Sequence, residues 1–225
     1  MAISFIQSAF ATVSFATTVS VAYSSNPTAG NFLCASVGSD GAFATPTFTD
    51  NNSNTWADAV LSDDGGGCKN KTGYAANCNA GATTVTGNKS SNGAMGLAIA
   101  EYSGIATVSP LDQTNTGGGF GTDISTSSVT TTQADELLVG VVTGVTNNAT
   151  FTPDAPWNER QDTQALRPTE FCDRIVSSTG SYTFDSTMST TDTWRAAIST
   201  YKAASAAAAP SRSIPRMRVP RMAMV

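Results

Sequence analysis

The sequence predicts an all-β protein. The expected form is an antiparallel, jelly-roll-like sandwich of about a dozen strands, built from two sequence-similar halves and followed by an extended C-terminal arm. Three observations predict it. Charged residues are only 13% of the chain, and Ser, Thr, Gly, Ala and Asn are abundant, which suits strands and tight turns and lacks the Glu/Lys pairing of long helices. Apolar runs are short, and Gly, Asn and Pro clusters punctuate them. One pattern also occurs twice, about a hundred residues apart: TAGNFLCASVGSDGAFATPTFTDNNSNTW at 28–56 and QADELLVGVVTGVTNNATFTPDAPW at 133–157.

The elements follow in order. Alternation places strands over 3–12 and 17–23, and Ser24-Ser-Asn-Pro-Thr-Ala-Gly30 forms a turn. Further strands are expected at 31–37, 44–49, 56–61, 71–76, 82–86 and 95–102. Residues 111–122, with Gly117, Gly118, Gly119 and Gly121, read as a connector. The second half supplies 124–131, 136–145, 150–152, 171–176, 182–184 and 193–202. So short a connection between halves (about 15–103 and 122–203) favours one sandwich over residues 1–204 rather than two separate domains. Beyond it, Pro210, Pro215 and Pro220 mark 205–225 as an extended arm, because proline fixes φ and lacks an amide donor.

Charge is unevenly placed. Four of the twelve basic residues, Arg212, Arg216, Arg218 and Arg221, lie in the last fourteen positions with no acid among them. Residues 1–204 hold the other 8 against 17 acids, a net −9, which repels phosphate backbones and argues against a nucleic-acid partner. Met1–Ser14 has no positively charged start and no uninterrupted apolar core, so it does not read as a secretory signal. No run approaches the ~20 apolar residues of a membrane helix. Synthesis in a cytoplasm and no membrane partner are the expectations. The arm interleaves its arginines with Ile214, Met217, Val219 and Met222, the pattern of a segment that binds a partner by strand addition or in a groove.

Candidate chemistry is sparse. The chain has no histidine, which removes the commonest general base and the Ser-His-Asp and Cys-His schemes. Glu101, in the apolar run IAEYSG, is the carboxylate to weigh as catalytic, paired with Asp135 or Glu136 in the manner of a glycosidase; the alternative is a hydrogen-bonded strand end. Asp50-Asn51-Asn52-Ser53-Asn54 resembles the start of a calcium loop, but Thr55 and Leu61 stand where a glycine and a bidentate acid belong, so an Asx-type turn is favoured. Asp63-Asp64 reads as a solvated loop. Trp56, Trp157 and Trp194 are either sugar platforms or packing residues, and the repeat equivalence of the first two favours packing. Cys34 and Cys172 read as buried strand residues, and Cys68 with Cys78 as a candidate disulfide clip. No catalytic set, cofactor or metal is expected.

The tract GNFL…TFTDNNSNTW, then YAAN, GATTVT, EYSG and the closing WRAAISTYKA resembles a group of β-sandwich modules in bacteriophage virion proteins and large bacterial surface proteins. The resemblance spans about residues 1–203 and rests on turn and strand residues, with Ser53 where the pattern has glycine. It implies a virion structural protein, most similar to a head decoration (cement) protein. Such a protein would be homo-oligomeric and would contact the major capsid protein or another virion protein. The alternative is a carbohydrate-binding or adhesion module of a phage tail or bacterial surface, with a glycan as ligand. A glycan-cleaving enzyme is the distant third.

Overall fold

The computed structural model describes residues 2–40, 45–164 and 166–205, with strands and turns and no helix among them. The first sheet contains β1 (Ser4–Ala22), β2 (Phe32–Ser39), β3 (Thr47–Asp50), β4 (Ala57–Asp63), β5 (Lys69–Ala75) and β6 (Thr84–Ser103). It is antiparallel with order β1-β6-β2-β5-β4, and β3 joins β6. The chain then supplies β7 (Leu111–Ser125), β8 (Val129–Thr130), β9 (Glu136–Gly144), β10 (Phe151–Pro153), β11 (Asn158–Thr163), β12 (Thr169–Val176), β13 (Ser181–Tyr182) and β14 (Asp185–Lys202). The second sheet has order β7-β14-β9-β12-β11 with β10 on β14, and β8 and β13 form a small ribbon. Taken in chain order, the two sheets share one strand order.

Apolar side chains form three layers. Phe32, Cys34, Ala98, Ala100 and Tyr102 of the first sheet meet Leu137, Val139, Val141, Phe171 and Tyr201 of the second in a shared core. The opposite face of the first sheet carries Leu33, Ala35, Val37, Leu97 and Ile99 and is closed by Val19, Phe48 and Val85 from its own strands. Leu138, Val142, Cys172 and Ile198 are covered in the same way by Phe151, Trp157 and Phe184. β2 and β9 are therefore buried on both faces, which explains their unbroken apolar sequence. The all-β sandwich is as expected, and the burial adds that each half also encloses a core of its own.

Several boundaries differ from the sequence reading. The two strands expected over 3–12 and 17–23 are one strand, β1, with register shifts after Phe5, Val13 and Ala16. The glycine-rich connector is the strand β7. Gly117 is required there because a Cβ would sit 2.2 Å from the Ser125 carbonyl oxygen, and Gly121 because its φ is 149°. Strand β11, NERQDT, is polar because it is a sheet edge, where charge discourages further pairing. The arm residues Arg212, Ile214, Arg216, Met217, Arg218, Val219, Arg221 and Met222 lie outside the described residues.

Candidate functional site

Glu101 faces the first half's own core and is 1% exposed. It accepts hydrogen bonds from Gln7 Nε2 (2.6 Å), Asn31 Nδ2 (2.6 Å) and the Thr28 amide (3.0 Å). Gln7 in turn accepts from Ser24 and from the amide and hydroxyl of Ser25. The carboxylate thus ties β1 and the 24–31 turn to β6, which is the hydrogen-bonded alternative to catalysis, with donors other than tyrosine. Glu136 projects from β9 on the side of Leu138 and Val142, into the second half. The shared core lies between them, so no Glu101–Glu136 pair forms.

A second polar cluster crosses between the sheets. Asp173 on β12 is fully buried and takes both Arg160 Nε (2.8 Å) and Nη2 (3.0 Å), while the Tyr102 hydroxyl donates to it at 2.9 Å. The Arg160 guanidinium also sits 3.8 Å from the centre of the Phe5 ring, which packs edge-on against Tyr102. Charge and donors are satisfied, as a buried ion pair demands, and the geometry locks β1 and β6 to β11 and β12. The motif was not legible beforehand, because its members are 71 and 13 residues apart and share no local pattern.

Three carboxyl groups of the second half are perturbed. Burial pushes Glu170 up to about 8, with Asp162 and Glu159 adding to the rise and Ser186 offsetting part of it. Burial, opposed by Thr200 and reinforced by Asp112, holds Glu136 at about 7. Burial also takes Asp162 to about 6, against a hydrogen bond from the Phe151 amide. Asp112 moves the other way: burial would raise it, but the Thr132 hydroxyl and amide and the neighbouring Glu136 and Lys202 bring it below the usual range. These groups face the core rather than an open cleft, so their shifts reflect structure.

The turn readings hold. Asp50 Oδ1 accepts from the Asn52 amide (2.8 Å) and the Asn54 amide (3.2 Å), and Oδ2 from Trp56 Nε1 (2.7 Å), an Asx-type turn that spends all its oxygens on the protein. Ser53 has φ of 57°, the left-handed conformation that glycine adopts freely. Asp64 Oδ1 accepts three successive amides, from Gly66, Gly67 and Cys68. Trp157 and Trp194 are 7% and 6% exposed, and Trp56 is half-buried against Phe48, so these indoles serve packing.

The Cys68–Cys78 clip does not form. Both thiols are free, and they lie beyond opposite ends of β5, where each donates to a backbone carbonyl, of Thr143 and of Thr28. A seven-residue strand holds its ends roughly 20 Å apart, far outside disulfide reach. Burial raises both, Cys68 to about 12 and Cys78 to about 11, so neither is a nucleophile near neutrality.

Two surface features remain. Edge strand β1, paired among the described residues with β6 alone, exposes Ile6 (46%), Phe10 (50%) and Phe15 (73%). Between β4 and β7 lies an open polar cleft of about 700 Å³, lined by Ser62, Asp63, Thr116, Thr126 and Arg195 among others. No family model, characterised protein or solved structure gives a significant match to this chain.

Proposed function

We propose that this protein is a non-enzymatic structural protein of a phage virion, most similar to a head decoration protein that stabilises a capsid lattice. The observation that carries the reading is the contrast between interior and edge. Glu101, the one carboxylate weighed as catalytic, is enclosed and takes three donors, whereas β1 offers apolar side chains to a protein partner. The acidic body and the basic segment beyond it add complementary charge for contacts between copies or with a capsid protein. In this role the sandwich is a rigid block and chemistry is absent by design.

The test is co-purification. The protein is expected in density-purified phage particles at a copy number that is a simple fraction of the major capsid protein. Its absence from washed particles sinks the reading. A second reading, a carbohydrate-binding or adhesion module, draws on the polar cleft with Asp63, Arg195 and several hydroxyls. Saturable binding on a glycan array, by a protein absent from heads, favours it.

A further inference from the structure

The phenylalanines of β1 recur every five residues: Phe5, Phe10 and Phe15. In a regular strand, five-residue spacing would alternate faces. Here two bulges undo the alternation. Phe5 pairs with Tyr102 and Phe10 with Ala98, so five residues of β1 span four of β6 and both rings point toward the second sheet. Phe15 sits in the next bulge, between the pairs Val13↔Met95 and Ala16↔Gly93. It borders a cavity of about 410 Å³ with Leu166, Arg167 and Val145 of the second half, which places it on that same side. Phe5 is capped by Arg160, while Phe10 and Phe15 stand open. Strand β7, at the corresponding edge of the other sheet, has glycines and a single exposed Phe120.

The chain beyond Ser205 carries a matching period. Pro210, Pro215 and Pro220 are five apart, and Ile214-Pro-Arg-Met217 is repeated as Val219-Pro-Arg-Met222. Prolines at both odd and even positions rule out a continuous added strand, because each removes an amide donor. A polyproline II segment remains available, and such segments dock on aromatic strips. Successive prolines would then lie roughly 15 Å apart, against roughly 13 Å for four ladder steps of β1, a difference within side-chain reach.

The exit point selects the occupant. Ala203 bridges to Ile105, the Ala204 amide donates to the Gly104 carbonyl at 2.8 Å, and Gly104 is so close to Ala2 that a Cβ would lie 2.2 Å from the Ala2 oxygen. The chain therefore leaves the described body beside the start of β1. Twenty residues, 206–225, span roughly 60 Å as polyproline II, more than the roughly 35 Å from Ser4 to Phe15. A tethered segment is presented at about millimolar effective concentration, which outcompetes a second copy at micromolar protein.

We propose that residues 206–225 dock along the β1 edge of their own chain, with their prolines and flanking aliphatic side chains over Phe10 and Phe15. This covers the exposed phenylalanines of β1. It rests on the reading of 206–225 as a docking segment and assigns to that segment part of the β1 edge on which the virion reading also draws; co-purification tests that reading separately. The experiment places the photo-crosslinker benzoylphenylalanine at Met217 in the full chain and maps products by mass spectrometry, using an equal mixture of ¹⁵N-labelled and unlabelled protein. Expected are crosslinks to residues 8–16 within one chain, with a yield independent of protein concentration. In the double variant Phe10→Ser/Phe15→Ser the yield falls at least about fivefold, from the loss of two aromatic contacts. Crosslinks confined to another face overturn the proposal, and so do β1 crosslinks found only between labelled and unlabelled copies. If the double variant does not fold, the crosslink map of the parent chain decides alone.

Discussion

Glu101 in the first half and Glu170 in the second are both buried glutamates on long-range strand pairs, and their surroundings treat them in opposite ways. Glu101 is met by Gln7, Asn31 and the Thr28 amide, three donors aimed at a carboxylate. Glu170 projects into the second half's apolar layer beside Asp162 and Glu159, and burial lifts it to about 8. The comparison teaches that one strand order can enclose a glutamate as a hydrogen-bonded anchor or as a neutral acid, according to the donors and acids that surround it. The first half gains a polar tie between β1, β6 and the 24–31 turn. The second half acquires a stability that depends on pH.

The largest expected effect breaks the first side of that comparison. Glu101→Ala leaves Gln7, Asn31 and the Thr28 amide without their acceptor in a buried site, and denaturant unfolding is expected to register a loss of about 3–5 kcal/mol. A loss below about 1 kcal/mol would mean that water replaces the carboxylate and the anchor is dispensable.

The second prediction inverts the sign. Between its unfolded value of 4.5 and its folded value of about 8, Glu170 holds a proton in the folded state that the unfolded chain releases. Stability from this group is therefore full below pH 4.5 and falls as pH rises toward 8. Glu136, at about 7, and Asp162, at about 6, act in the same direction over narrower windows. Asp64 and Asp112, both lowered, lose their contributions only in acid below their ordinary 3.8. The melting temperature should accordingly rise as pH drops from 8 to 5. Glu170→Gln should stabilise by about 2–3 kcal/mol at pH 7, an advantage that disappears near pH 4 where both side chains are neutral. An equal gain at both pH values would show that packing rather than protonation is responsible.

The smallest effect concerns a turn. Ser53 adopts φ of 57° in the Asp50–Asn54 loop, so Ser53→Gly should relieve left-handed strain and stabilise by about 0.5–1 kcal/mol in a thermal melt. The same loop hydrogen-bonds to the 79–83 segment through Asn52 and Asn79, which gives the substitution a rigid frame in which to be measured.

Legibility followed locality. Apolar runs at 31–37 and 136–145 announced strands, and Asp50 with its Asn-rich followers announced an Asx turn, because each signal lies within a few residues. The glycine run of β7 misled, since glycine is depleted in strands unless a neighbour occupies the space of a side chain, and at Gly119 that neighbour is the buried ring of Trp194, distant in sequence. The Cys68–Cys78 pairing misled for the opposite reason. Nearness in sequence is no nearness in space when the intervening residues are an extended strand. The Arg160–Asp173–Tyr102 cluster gave no sequence signal at all, and the exposed phenylalanine strip became visible only once the bulges were located.

By itself the sequence determined that this chain is all-β and holds no histidine, because composition, alternation and turn residues are read within a few positions. Only the tertiary structure decided which carboxylate is an anchor and which is a neutral acid, that a glycine connector is an edge strand, and that three phenylalanines share one face. Those outcomes depend on ladder register and on donors brought from distant turns, and register is a property of paired strands that no single strand encodes.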